Sequence, residues 1–343
     1  MRSNVNPIMR TSVDFLLRLP PFSPSLTFCR LGVCLSFVCI LPQAEGNTVF
    51  PVWNAFAGQE TLVIRETKDR VPSGESIWFR VAKGTRTMAS GSARSGQDGR
   101  LELPVRLPNM KPGVALPFEV ELRAGSDKGR LLRSGTLWVF SEQPFDPEFT
   151  RAGSRALLLY DPEGHTRDAL RSISIAFENI EKPGSLDAVT NSVIVVGESV
   201  SLESERGLSE LLCLAVTRGN RVLLLAPRAG QLKLPSAWRI LLAGNAQDVL
   251  RTAGVKTAPY KLNLNEWPPD GRAVQMRFRL TADHDDPVFA MTPDTGCEAI
   301  GWDDVASGGR LRACGLGIAA KWHETPAARW LLAEMVERLA NEE

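Results

Sequence analysis

The chain has 343 residues and a mass of 37.6 kDa, more than one small domain needs and enough for two of ordinary size. With 43% hydrophobic and 23% charged residues it is not a collagen, a coiled-coil rod or a wholly disordered chain. Lys and Arg number 40 against 39 Asp and Glu, a formal charge of +1, so no broad basic surface for nucleic acid is expected.

Residues 1–46 read as a signal segment. Arg2, Arg10, Arg18 and Arg30 face a single acid, Asp14, and Leu31 to Leu41 then runs LGVCLSFVCIL. Eleven apolar or small residues are too few to span a bilayer as a helix, which takes about 20, and suit the apolar core of a secretory signal. Ala44 follows Pro42 and Gln43 as a small residue at a cleavage position, and the length of the lead makes Met9 an alternative start. The expected location is periplasmic or secreted, with membrane contact only through the uncleaved signal. Cleavage removes Cys29, Cys34 and Cys39 and leaves Cys213, Cys297 and Cys314. Cys297 and Cys314 could close a short loop, and Cys213, in an apolar helical stretch, reads as a core residue.

From 47 to 145 the chain alternates strand and turn signals. ETLVIRET (60–67), SIWFRV (76–81), the polar run Arg86 to Arg94, LELPVR (101–106), LPFEVEL (116–122) and TLWVF (136–140) are separated by PSGE, SGQDG, NMKPG and AGSDKG. Six or seven short strands in about 100 residues, with no sustained helical period, predict an immunoglobulin-like β-sandwich. Ile77, Phe79 and Val81 set one face of their strand, so Trp78 points to the other, as does Trp138 between Leu137 and Val139. Both tryptophans are candidate ligand platforms, against the simpler role of packing between domains. Pro104, lacking an N–H, favours an edge position.

A Pro-bearing connector, SEQPFDPEFTRAG, has its linker proper at 146–153, and the rhythm changes after it. RALLLY (155–160), SVIVV (192–196) and RVLLL (221–225) are compact apolar strands. Between them come helical spacings through Ala169, Ile173, Ala176, Phe177 and Ile180, and then through Leu208, Leu211, Leu212, Ala215 and Val216. Such strands alternating with helices predict an α/β domain at 154–343 with a parallel sheet covered on both faces. Trp238–Ala243, Lys261–Asn265, Ala273–Leu280 and Leu311–Ile318 read as later strands, and Gln247–Ala253 as a short helix. Ala327–Ala340 is the closing helix, with Thr325 as N-cap and Pro326 at the first helical position.

LLLYDPEG, SVIVVGE, the helix ending in Thr217-Arg218-Gly219-Asn220, and RVLLLAP resemble the class I glutamine amidotransferase-like superfamily over roughly 152–341. That resemblance implies a flavodoxin-like fold. The chain as a whole also resembles exported, planctomycete-like bacterial proteins in which such a domain follows a sandwich, sometimes beside glycoside-hydrolase modules. Active amidotransferases carry a nucleophilic cysteine on a tight turn after the strand that RVLLL matches. Here the turn reads Ala226-Pro227-Arg228-Ala229, with no Cys, Ser or Thr. A methyl group cannot attack a carbonyl, so glutamine hydrolysis by that route is not expected.

Ligands of open parallel sheets bind beyond the carboxyl ends of the strands. That rule selects Asp161, Glu163, Gly164 and His165 after the first strand, Glu198 after the second and Arg228 after the third. Asp161 and Glu198 could act as a carboxylate pair if held about 5 to 9 Å apart, with Asp303 in the acidic loop Trp302-Asp303-Asp304 as a further acid. Asp283, Asp285 and Asp286 are a weak calcium set around His284. No cofactor is expected. The preferred reading is a pseudoenzyme: a non-catalytic extracytoplasmic binding or assembly module, linked by the resemblance to polysaccharide handling. Its expected partner is a polysaccharide or an envelope protein. A carbohydrate-active hydrolase using Asp161, Glu198 or Asp303, and a structural envelope subunit, stay open beside it.

Overall fold

The computed structural model describes residues 52–65, 73–96, 99–147, 149, 155–235, 239–242, 278–282, 287–291, 299–304, 308–315 and 317–341. The signal segment at 1–46, the connector residues 150–154, the expected strand at 261–265 and the expected helix at 247–253 lie outside the described residues.

Seven strands come first: β1 (Val52–Phe56), β2 (Leu62–Arg65), β3 (Ser76–Lys83), β4 (Arg86–Arg94), β5 (Arg100–Leu103), β6 (Ala115–Ala124) and β7 (Leu131–Phe140). Five form a sheet in the order β1-β7-β6-β3-β4, and β2 pairs with β5 in a second sheet. β1 runs parallel to β7, and the other pairs are antiparallel. The period-two alternation of β3 sends Ile77, Phe79 and Val81 inward, where Leu62 and Ile64 of β2 and Leu101 and Leu103 of β5 meet them in one core. Each such side chain, fully buried, contributes roughly 1.5–3 kcal/mol. Phe79 lies opposite Gly91 of β4. A Cβ at Gly91 would stand 3.2 Å from the Phe79 ring, so the absent side chain gives the ring its place.

The later strands are β8 (Leu157–Tyr160), β9 (Glu178–Asn179), β10 (Val193–Val196), β11 (Arg221–Leu225), β12 (Gln231–Leu234), β13 (Arg239–Leu242), β14 (Phe278–Ala282), β15 (Pro287–Met291), β16 (Ala299–Asp304) and β17 (Gly309–Cys314). Helices α1 (His165–Ser172), α2 (Leu208–Thr217) and α3 (Pro326–Asn341) accompany them. A seven-stranded sheet has the order β13-β16-β17-β11-β10-β8-β9, and β12-β14-β15 form a three-stranded sheet. From β17 to β9 the strands of the large sheet are parallel, and β16 and β13 complete it antiparallel. Every residue of β8, β10 and β11 is buried, as the unalternated apolar runs require for strands covered on both faces. α3 packs on β10 and β11 and also touches β1.

Two expectations change. The first helix, read through Ile180, stops at Ser172. Ser174 adopts a left-handed φ of 57°. The Ile175 N–H reaches back to the Leu170 carbonyl at 3.2 Å, a six-to-one closure that ends the helix and turns Ile173 and Ile175 inward. The chain then runs on to the short edge strand β9. The Trp302-Asp303-Asp304 segment, read as a loop, is part of β16. Trp302 stands opposite Leu311 and Asp303 opposite Arg310 of β17.

Residues 49–343 form one contact unit. Phe140 at the end of β7 meets Trp330 of α3 edge-on at 6.1 Å. The Asp146 N–H donates to Glu337 Oε1 at 2.7 Å. Among the described residues no helix is long and apolar enough to cross a membrane.

Candidate functional site

The carboxyl ends of β8 and β10 carry two buried acids, Asp161 and Glu198, each 2% exposed. Asp161 serves the start of α1. Its Oδ2 accepts the Arg167 N–H at 2.7 Å, satisfying one of the orphan amides of the first helical turn. Its Oδ1 is buried without a hydrogen-bond partner and lies against Gly197. Burial pushes the Asp161 carboxyl above the usual range, opposed by the Arg167 and Gly164 amides and the Arg167 charge.

Glu198 is held from two sides. Its own N–H donates to Thr166 Oγ1 of α1 at 2.8 Å. Its carboxylate accepts the N–H groups of Ala319 at 2.6 Å and Ala320 at 3.2 Å, in the turn ahead of α3. Burial still dominates and raises its pKa to about 7, against those amides and the nearby charge of His165. Ser199 follows with φ 71°, its N–H donating to the Ala226 carbonyl at 2.9 Å.

Glu198 and Ser199 open on a cavity of about 280 Å³, which His165 and Asp168 of α1 and Trp322 and His323 of the following turn complete. Trp322 is 1% exposed, and its indole N–H donates to Ser172 Oγ at 2.9 Å. His165, Asp168 and His323 are exposed at the mouth. Asp161 does not line this cavity. Of the two acids read as a catalytic pair, one faces the cavity and the other is spent on the helix end.

The remaining sequence candidates scatter. Glu163 and Arg228 face each other at 3.6 Å across exposed surface, a pair worth little to stability. Trp138 packs partly buried against the core that includes the large sheet. Trp78 stays half-buried on the outer face of the five-stranded sheet, opposite Arg123 and Ser92. Trp302 and Asp303 lie on β16. In the strand register Asp303 stands opposite Arg310, which is level with Arg221, at the amino end of the parallel strands. Between β16 and β8 there are also four strand spacings, roughly 19 Å at 4.8 Å each.

Asp283, Asp285, Asp286 and Cys297 lie outside the described residues. Cys314 is buried in β17, and Cys213 is buried on α2 with its Sγ 3.3 Å from the Lys233 carbonyl. Among the described residues no group of three or more His, Cys, Asp or Glu is placed to hold a metal ion. Sequence reasoning missed Ser199 and His323 as residues that line the cavity with Glu198. The signal for Ser199 is a Gly-Glu-Ser turn directly after an apolar strand. Ala319 and Ala320 carry no signal, since only their backbone acts.

No family model and no curated protein matches the chain. Among solved structures it is similar to Bacteroides thetaiotamicron EndoBT-3987 with Man5GlcNAc product, at 11% identity over 84% of this chain and 67% of that one, with a TM-score of 0.23. It is also similar to Bifidobacterium dentium β-glucuronidase complexed with coumarin-3-O-glucuronide, at 12% identity over 62% of this chain and 39% of that one, TM-score 0.19. A third, Plasmodium falciparum protein Pf12p, has 11% identity over 77% and 91% of the two chains, TM-score 0.15. TM-scores this low establish no fold relationship.

Proposed function

We propose that the protein is a non-catalytic extracytoplasmic binding module for polysaccharide, with an immunoglobulin-like sandwich joined to an amidotransferase-like α/β domain that has lost its nucleophile. The observation that carries this reading is Ala226. It lies fully buried directly after β11, where the resemblance calls for a cysteine. Pro227 after it restricts Ala226 to extended backbone, and Ala226 is not among the described non-glycine residues with left-handed φ, which are Ser174, Asn191 and Ser199. A buried methyl on extended backbone neither attacks a carbonyl nor forms a nucleophile elbow.

The separate engagement of Asp161 and Glu198 favours binding over glycoside hydrolysis, because a two-carboxylate mechanism needs both acids in one cleft. Purified protein incubated with glutamine should release no more ammonia than a heat-treated control, and an array of bacterial and plant polysaccharides should retain it without shortening the chains. Ammonia release, or cleavage of a retained polysaccharide, contradicts the non-catalytic reading.

A further inference from the structure

We propose that the cavity between α1, the Glu198–Ser199 turn and the 319–323 turn binds one neutral, polyhydroxylated ring of a sugar. This rests on the polysaccharide reading above and assigns its recognition to a definite place.

The first argument is the chemistry of the lining. Glu198 and Asp168 offer carboxyl oxygens, His165 and His323 offer ring nitrogens, and Ser199 offers a hydroxyl that both donates and accepts. The two Glu198 oxygens each take one backbone N–H, which leaves a second lone pair on each for a ligand hydroxyl. Among the described residues no Lys or Arg lines the cavity. The nearby Lys321 ammonium is engaged with Glu324 at 3.0 Å. A phosphate, sulfate or uronate would therefore meet two carboxyl groups and neither Lys nor Arg. A lipid or plain aromatic would leave these polar groups unpaired. Hydroxyl groups, which donate once and accept twice, match the mixture. The methyl groups of Ala319 and Ala320, with the edges of buried Trp322 and Ala169 behind them, give a small apolar area for the C–H groups of a ring. The volume of about 280 Å³ lies just below the range of about 300–1,000 Å³ usual for small-molecule sites, so the cavity suits a single ring.

The second argument is backbone strain. Ser199 lines the cavity in a left-handed conformation that glycine adopts freely and serine does not. Half-buried Ser199 contributes little packing, so its hydroxyl is what serine adds at this position.

The test is calorimetric titration of the full chain with glucose, galactose, mannose and N-acetylglucosamine, with galacturonate, inorganic phosphate and ethanolamine as charged comparisons. Ser199→Gly, His323→Ala and Trp78→Ala are titrated alongside, each with its melting temperature. At least one neutral sugar should saturate the wild type. Ser199→Gly and His323→Ala should each weaken it about tenfold, the loss of one or two hydrogen bonds. Trp78→Ala should change nothing, and Ser199→Gly should melt no lower than wild type. If a neutral sugar binds Ser199→Gly and His323→Ala as well as wild type, the cavity is not the site, while the polysaccharide reading stands. If only galacturonate, phosphate or ethanolamine binds, the ligand class is wrong. If neither these sugars nor any polysaccharide of the array is retained, the binding reading itself fails.

Discussion

The carboxylate of Glu198 accepts the backbone N–H of Ala319 at 2.6 Å, joining the end of β10 to a turn 121 residues further along the chain. With the Ala320 N–H at 3.2 Å, the contact fixes the wall that carries Trp322 and His323 relative to α1. It also buries most of the acid, and desolvation outweighs the two donors.

The pH dependence of stability follows from that imbalance. Glu198 titrates near 4.5 in the unfolded chain and about 7 in the folded one. Between those values the folded chain holds a proton that the unfolded chain has released. Its contribution to stability is therefore complete below pH 4.5 and declines as pH rises toward 7, by about 3 kcal/mol in all. Urea unfolding at pH 5, 6, 7 and 8 should show the wild type weakening over this window. Glu198→Gln, which cannot titrate, should show a flatter profile whatever its absolute stability. Parallel profiles for the two proteins would assign the slope to other groups, of which His165, Asp168 and His323 share the cavity.

Gly197 should tolerate no side chain. A Cβ there would stand 2.4 Å from Asp161 Oδ1 and 2.8 Å from Asp161 Cβ. Asp161 is 2% exposed and tied to the Arg167 N–H, so it cannot swing away. Gly197→Ala should cost roughly 2 kcal/mol or more through overpacking. Asp161→Ala alone should cost about 1 kcal/mol by uncapping α1. The double substitution should cost clearly less than the sum, because removing the carboxylate makes room for the methyl group. Denaturant midpoints of the three variants measure this, and strict additivity would show that the two residues do not press on each other.

The legible parts of this chain are those where one local pattern decides. The alternation in SIWFRV sets the buried face of β3, and the unbroken VIVV and RVLLL mark strands covered on both faces. Pro326 and the stripe through Leu331, Leu332 and Met335 announce α3. Misreadings arose where a non-local partner overrides the pattern. The Ile173–Ile180 spacing suits a helix, yet Ser174 turns left-handed and the chain supplies β9, whose Glu178 pairs with Leu158. Trp302-Asp303-Asp304 has loop composition, yet β17 offers an antiparallel edge that takes it in. At the site, Asp161, His165 and Glu198 are found from the ends of strands. Their division of labour depends on Gly197 and on amides at 319 and 320, which composition does not reveal.

Arg329 of α3 should prove the residue that binds the first β layer to the helix above it. Its guanidinium lies 4.5 Å from the ring centroid of Phe56 in β1 and 5.6 Å from that of Trp322. Its Nε donates to the Trp322 carbonyl at 2.8 Å and its Nη1 to the Glu142 carbonyl, just after β7, at 3.1 Å. Burial lowers its pKa, partly offset by the Glu142 charge, but a guanidinium stays ionised and can keep every one of these contacts. Lysine has the charge without the planar fork, so it can stack on neither ring in the same way and reaches at most one carbonyl. Arg329→Lys should therefore lose about 1–3 kcal/mol, nearly as much as Arg329→Ala. Denaturation followed by far-UV circular dichroism and by tryptophan fluorescence compares the variants. Lysine matching wild type would mean that charge alone, and neither stacking nor the paired carbonyl bonds, holds the two layers together at this point.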